Sequence, residues 1–439
     1  MGFSLSVSGA LLCLMVMVLI WSPLGQTSFY FFNNVYFDVF SVPMILVTAI
    51  MLPVSLMACY KQLNSATGAF YHLLMLSILG SLVLHLLFFT ASGFLSMYFY
   101  FEAVLLPMLV IILGWGYQPE RLKAAKAMML YTVIGSMPLL LIFIAVFFSV
   151  VEPQCLSLAQ LTGWSLPNLL SSSFVSLSVA LGVVLAFLVK LPVYGVHKWL
   201  PKAHVEAPTV GSIILAGLML KLGGVGLGRT FLLWKPLMAG GVFEMVVLVS
   251  LWGGVLGSMV SLVQSDAKAL IALTSVAHMS LIVLGVGSGT LFGILGAAFF
   301  MLAHGLVSPL MFLWAGKIHD LVGTRQVMMI KGLLGVAPGA ALIFGFIMFA
   351  NCSCPPTVNL LSEMLIYPTG LLLGVSALML LGLLTFTSFI YSFFLLYSSL
   401  HGGYSLLLSS HKSTESPLIV PSFLVLVPCF LGAFLLAGL

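Results

Sequence analysis

Apolar stretches of about 20 residues or more, parted by short polar or Gly/Pro clusters, run through almost the whole chain. A hydrocarbon layer about 30 Å thick takes about 20 helical residues to cross. Inside it every backbone N–H and C=O must find a partner within the protein. The pattern therefore predicts an all-α, polytopic membrane protein. Thirteen spans are expected, at 4–22, 36–58, 69–90, 92–114, 124–151, 172–200, 208–231, 240–263, 268–288, 291–316, 333–368, 370–398 and 417–438. Charge supports this, since fifteen basic and ten acidic residues among 439 cannot coat a water-facing surface. The net +5 does not imply a nucleic-acid partner, because most of those charges fall between spans.

The loop charges test the span count. With the amino-terminal side called X, the X loops hold Lys61, Arg121, Lys123, Lys126, Lys198, Lys202, Lys268, Lys317, Arg325, Lys331 and Lys412, and the opposite loops only Arg229 and Lys235. A miscounted helix in the middle would scramble this asymmetry. By the positive-inside rule X faces the cytoplasm or the mitochondrial matrix. The first basic residue is Lys61, so Met1–Ser22 reads as a retained span rather than a signal peptide or presequence. The cysteines at 13, 59, 155, 352, 354 and 429 show no metal spacing, and neither a disulfide framework nor a metal site is expected.

A faint symmetry follows. Residues 69–231 and 240–398 each hold five spans, and in both the fourth is overlong and interrupted by proline. Five is odd, so the second group must cross in the opposite sense. That is the inverted-repeat plan of many transporters, whose ion sites lie at broken helices. N-terminal helices (1–68) and a C-terminal helix (399–439) flank the two five-helix repeats.

Four ionisable residues, Glu102, Lys190, Lys221 and Glu363, and three histidines, His85, His278 and His304, fall inside spans. A charge at a span's centre costs about 2.5–3.5 kcal/mol before pairing. Two acids and two bases can neutralise one another as structural glue. The competing reading is a proton relay, which needs groups that gain and lose protons readily; arginine does not, and none is among these seven. Lys190 precedes Leu191-Pro192, and Pro192 is expected to free the Leu188 carbonyl for water. Cys352-Ser353-Cys354-Pro355-Pro356 breaks the matching span, with Glu363 seven residues beyond Pro356. The glycines of Lys221-Leu-Gly-Gly-Val-Gly-Leu-Gly-Arg229 read as a close-packing face rather than a phosphate loop. His72 and His85 are structural or gating candidates. His197, His204 and Glu206 are expected in a solvated loop at the X-side mouth.

Several stretches carry a family resemblance. Phe101-Glu102-Ala-Val-Leu-Leu-Pro107, Trp115-Gly-Tyr-Gln-Pro-Glu-Arg121 and the run from Lys190-Leu-Pro to Val-Glu-Ala-Pro208 resemble the chain-4 family of NADH–ubiquinone oxidoreductase, antiporter-like membrane subunits of respiratory complex I. Leu220-Lys-Leu-Gly-Gly224, Asp266-Ala-Lys-Ala-Leu-Ile271, Ser275-Val-Ala-His-Met279, His304-Gly-Leu-Val-Ser308 and Pro355-Pro-Thr-Val-Asn-Leu-Leu-Ser-Glu363 follow in order, so the similarity covers about residues 36 to 400. An acid at 363 is similar to chain 4 rather than to its sister chains 2 and 5, which carry lysine there. The family implies fourteen helices, with two before residue 36 where this chain shows one.

The resemblance implies a core subunit of a proton-translocating NADH:ubiquinone reductase in the mitochondrial inner membrane, the bacterial plasma membrane being the alternative. It places FMN, iron–sulfur clusters and ubiquinone in partner subunits, with chains 2 and 5 as neighbours and lipid around them. No cofactor or metal is expected in this chain. The expected relay starts with Glu102 favouring protonated Lys190 when close, and separation expelling the proton. Lys221, His278 and His304 then carry it laterally to Glu363, which releases it opposite X. Two other readings stay open: a subunit of a Mrp-type cation/proton antiporter, and a structural scaffold.

Overall fold

The computed structural model describes residues 29–31, 35–59, 68–149, 173–234, 241–403 and 416–437. The expected first span at 4–22 and the connection Glu152–Ser171 lie outside the described residues. The chain opens on a hairpin that the span pattern did not foretell, β1 (Phe29–Phe31) antiparallel to β2 (Val35–Phe37). After it, the described elements are helical, apart from an isolated antiparallel bridge between Asp266 and Gln326. The first group comprises α1 (Ser41–Ala58), α2 (Gly68–Thr90), α3 (Phe94–Ala103), α4 (Leu105–Trp115) and α5 (Arg121–Ser149). Next come α6 (Ser173–Lys190), α7 (Trp199–Glu206), α8 (Thr209–Ile214), a π-turn (Leu215–Met219) and α9 (Leu220–Trp234).

The second group runs α10 (Val242–Leu262), α11 (Ala267–Gly287), α12 (Leu291–Val322), α13 (Leu333–Val336), α14 (Pro338–Asn351), α15 (Val358–Leu372) and α16 (Val375–Leu400), and α17 (Ser416–Ala437) closes the chain. Among the described residues nine helical stretches are long and apolar enough to cross a membrane. Those at Thr209–Phe231 and Ala267–Gly287 are wholly buried, while Arg121–Ala145 and Phe94–Trp115 keep most of their surface outward. The centre is thus built from α8, α9 and α11, and the polar side chains of those helices cannot face lipid.

Both expected breaks exist, inside the spans expected at 172–200 and 333–368. The first separates α6 from α7 at Leu191–Lys198, directly after Lys190. Its backbone closes differently from expectation. The Leu188 carbonyl is not left to water but accepts the Val193 N–H at 3.2 Å, because the chain turns tightly enough for the next amide to reach it. The Val189 carbonyl accepts the buried Trp199 Nε1–H at 3.0 Å. The second break separates α14 from α15 at Cys352–Thr357, where Ser353 has φ +56° and Asn359 Nδ2 donates to the Ala350 carbonyl at 2.6 Å. A third joint was not foreseen: α3 and α4 part at Val104, since Pro107 has no N–H for the Ala103 carbonyl.

Two cations assigned to loops lie inside the protein. Lys268, in the first turn of α11, is buried, and its Nζ donates to the Ala207 carbonyl at 3.1 Å. Arg229 lies within α9, buried against Asp38 at 2.7 Å. A polar side chain near a helix end reads as a loop residue in sequence, but both meet exposed carbonyls at helix ends.

Candidate functional site: a buried polar path between two broken helices

The buried titratable residues group around α9, α11 and α12. Lys221 is fully buried and follows the π-turn directly. Its Nζ donates to the Ala216 carbonyl inside that turn and lies 2.9 Å from His304 Nδ1 on α12. Opposite the π-turn, α12 carries Pro309, which leaves the Gly305 carbonyl without its helical donor. Two irregular stretches of backbone therefore face each other where Lys221 and His304 meet; a Cβ on Gly217 would lie 3.1 Å from Pro309 Cγ. Such carbonyls are natural partners for an ammonium group away from water.

From His304 the path continues sideways. The His304 and His278 rings are 5.4 Å apart between centroids, and His278 Nε2 lies 2.8 Å from the Tyr391 hydroxyl on α16. Tyr391 is fully buried beside Asn351 and Cys352, at the end of α14, and within electrostatic reach of Glu363. Glu363 lies on α15, just past the break, and Ser353 Oγ donates to its Oε1 at 2.5 Å. His278 Nδ1 and Asn351 Nδ2 are buried and make no hydrogen bond of normal geometry, although the Asn351 side chain lies beside both His278 and Tyr391. Buried polar atoms are almost always hydrogen-bonded, so ordered water is the expected third member there.

Lys190 and Glu102 form a separate pair of neighbours. Lys190 is 1% exposed, and its Nζ donates to the Phe101 carbonyl and lies 3.2 Å from the Phe101 ring centroid. Glu102 acts on Lys190 electrostatically but makes no contact ion pair with it, and its buried Oε1 has no hydrogen-bond partner. The lysine is thus held by a carbonyl and a π face, with the carboxylate one residue along. His85 lies within electrostatic reach of Lys190, with Nδ1 on the Ser81 carbonyl at 2.6 Å and Nε2 unpartnered. The two lysine regions meet through backbone: a Cβ on Gly223 would lie 2.8 Å from Leu191 N and 2.9 Å from Phe187 O, so only glycine lets α9 rest on the break.

The X-side mouth differs from expectation. His204 is fully buried, stacked on Phe312 at 4.2 Å, and neither ring nitrogen has a protein partner. Glu206 is also buried. Both are drawn in because α7 folds back under α11 and α12 instead of running out as a loop. His197 alone fits a mouth position, half-buried, stacked on Tyr194 at 4.6 Å and accepting the Gly195 N–H at 3.1 Å. Sequence reasoning missed Tyr391, Ser353 and Lys268. Serine and tyrosine are common in membrane helices, and nothing local marks Tyr391; its role comes from packing against α11.

Among the described residues no group of three His, Cys, Asp or Glu side chains is placed to hold a metal ion. Residues 91–390 match the family described as "NADH:quinone oxidoreductase/Mrp antiporter, TM". The chain is 38% identical over 357 residues to NADH-ubiquinone oxidoreductase chain 4 of Mytilus edulis, covering 81% of this chain and 79% of the relative. The same subunit of Lumbricus terrestris is 38% identical over 73% of this chain and 70% of its own length. Among solved structures, a chain of respiratory complex I from Thermus thermophilus with bound NADH superposes with a TM-score of 0.82 at 22% identity, covering 99% of this chain and 92% of that one. A chain of the Mrp complex from Dietzia sp. gives 0.80 at 16% identity, with coverage of 99% and 90%. At those identities the likeness is one of fold.

Proposed function

The chain belongs to the NADH–ubiquinone oxidoreductase chain 4 family, antiporter-like membrane subunits of respiratory complex I, and we propose that its buried path from Lys190 to Glu363 carries the protons that NADH oxidation drives across the membrane. As a member of that family it is a multi-pass membrane subunit of NADH:ubiquinone oxidoreductase. One observation carries the proposed path: Lys221, His304, His278 and Tyr391 stand one after another through the fully buried centre, and Glu363 and Ser353 lie at its far end. Structural glue would pair acids with bases. Here Lys221 contacts an imidazole, and Glu363 a hydroxyl.

Imidazole, phenol and water can each accept a proton on one side and donate on the other, which suits the middle of the path. Lys190, Lys221 and Glu363 store charge. Two unit charges 4 Å apart interact by about 4 kcal/mol at an effective dielectric of 20 and by about half that at 8 Å, so a shift of a few ångströms between Glu102 and Lys190 changes Lys190's hold on its proton about thirtyfold. Lys190 loads under the influence of Glu102, and Lys221 with the two histidines passes the charge along. Glu363 releases it on the side opposite X.

The chain sits in the mitochondrial inner membrane, as its animal relatives' subunit type implies, with chains 2 and 5 on either flank. FMN, the iron–sulfur clusters and ubiquinone belong to other subunits. Residues 69–231 and 240–398 are inverted repeats between N-terminal helices (1–68) and a C-terminal helix (399–439); matching breaks in their fourth members support this.

The test is proton uptake into vesicles carrying the assembled complex, driven by NADH and a quinone. Lys221→Met and Glu363→Gln are each expected to cut pumping about a hundredfold, the usual scale for losing a positioned acid–base group. Wild-type pumping in either variant removes that residue from the path. The Mrp fold is similar to nearly the same degree, so a second measurement separates the readings. Proton flux that follows a sodium gradient without NADH or quinone would make the chain an antiporter subunit.

A further inference from the structure

About two turns along α9 from the polar path, one guanidinium gathers the ends of α1 and α2 against α9. Arg229 Nε donates to Asp38 Oδ2 at 2.7 Å, one terminal nitrogen to the Phe88 and Ala91 carbonyls at 3.2 and 3.4 Å, and the other to the Phe89 carbonyl at 2.6 Å. Those carbonyls close the last turn of α2, where a helix lacks donors of its own and its dipole attracts a cation. Asp38 in turn starts α1: its Oδ1 accepts the Ser41 N–H at 2.6 Å while Ser41 Oγ accepts the Asp38 N–H at 2.7 Å. The Tyr36 ring lies 5.8 Å from the guanidinium carbon. The Arg229 side chain is 2% exposed, so this binding is screened from solvent.

Arg229 stands eight residues after Lys221 on the same helix, about 12 Å along its axis. Between them α9 carries only apolar side chains, Leu222, Val225 and Leu227, all buried, and glycines at its closest contacts. A Cβ at Gly224, Gly226 or Gly228 would collide with Met301, Phe187 or Phe40 respectively. Glycines bring neighbouring helices close, but apolar contact is non-directional. Among the described residues, the directional side-chain bonds from α9 to other helices are those of Arg229 and Lys221. The π-turn before Lys221 adds a reason for a fixed register. It holds one more residue per turn than an α-helix, and absorbing that residue would rotate α9 by about 100° and shift it by about 1.5 Å. Lys221 Nζ would then leave His304.

We infer that the Asp38–Arg229 pair is a positioning device that fixes the rotational register of α9 and so holds Lys221 Nζ against His304. It rests on the path proposed above, touches none of its members, and acts only through the helix. Arg229 is suited to the task because its planar fork satisfies a carboxylate and three carbonyls at once, which a lysine cannot do.

The experiment uses the assembled complex in vesicles and reads the ratio of proton uptake driven by NADH and quinone to NADH oxidation by an artificial acceptor that bypasses the quinone, both per complex. Asp38→Asn keeps the carbonyl bonds and removes the counter-charge, Arg229→Lys keeps the charge and loses the fork, and Arg229→Gln loses both. The ratio is expected to fall about twofold in Asp38→Asn and in Arg229→Lys, and at least fivefold in Arg229→Gln, with acceptor-linked oxidation per complex unchanged. A purely stabilising contact would lower the yield of complex and leave the ratio alone. If Arg229→Gln fails to assemble, the two milder variants decide. A wild-type ratio in both, beside a Lys221→Met complex that cannot pump, overturns the positioning role and spares the path. Normal pumping by Lys221→Met overturns both.

Discussion

The two breaks use the same backbone device and arm it with opposite chemistry. At the first, the titratable group is a base at the end of the helix before the break, and it is held by acceptors, the Phe101 carbonyl and ring. At the second it is an acid in the helix after the break, held by a donor, the Ser353 hydroxyl, with Tyr391 nearby. The first set stabilises positive charge, while the Ser353 hydroxyl donates to the carboxyl group of Glu363. The groups between them, two imidazoles and a phenol, accept and donate equally well. The difference separates the ends, where charge is kept, from the middle, where it passes.

That contrast can be broken at its first end. Lys190→Met removes the stored base and Glu102→Gln the field that acts on it. Both are expected to lower quinone-linked NADH oxidation and pumping together, by about a hundredfold for the lysine and about tenfold for the glutamate, which makes no direct contact with Lys190. Turnover of assembled complex and proton uptake into vesicles are the measurements. A Lys190→Met complex with wild-type pumping, beside a silent Glu363→Gln, would leave the second break as the only working terminal.

The middle gives a smaller and sharper test. Tyr391→Phe keeps the buried ring and deletes the hydroxyl that meets His278, so packing is preserved and one hydrogen-bond link is lost. Loss of such a link is worth about 1 kcal/mol, and turnover is expected to drop about fivefold to tenfold. A solvent deuterium isotope effect should rise as transfer across the gap becomes limiting. Unchanged turnover would route the path around Tyr391 through water near Asn351.

How far the sequence foretold this depends on what kind of signal a residue leaves. Charges in apolar runs are conspicuous, so Glu102, Lys190, Lys221 and Glu363 stood out, and Pro192 and Pro355-Pro356 marked the breaks. Among the described residues most span edges followed to within about three residues, because hydropathy changes sharply there, while α1 and α16 begin five residues late and α12 runs six residues on. Tyr391 and Ser353 left no signal, since their importance comes from which helix faces them. Arg229 and Lys268 were misplaced for the opposite reason. A cation near a span edge reads as a loop, and only the tertiary packing shows the helix-end carbonyls that take it in. The hairpin before α1 offered Asn33-Asn34 between its strands, but its short aromatic runs lacked the alternation that announces a strand pair.

The smallest expected effect concerns the X-side mouth, where His197 and His204 look alike in sequence and stand in contrasting surroundings. His197 is half-buried and stacks on Tyr194, a residue exposed to solvent itself. Water can take over the single hydrogen bond its ring accepts from Gly195. His197→Ala is therefore expected to change turnover by no more than about twofold, in line with the loss of a solvent-replaceable contact. His204 is sealed between α7 and Phe312 with both nitrogens unpartnered and Lys221 within electrostatic reach. A loss in His197→Ala as deep as that in Lys190→Met, measured as quinone-linked NADH oxidation per assembled complex, would move the decisive charge from the first break to the mouth. The base would then be loaded at the surface, and Lys190 would be a relay member rather than a terminal.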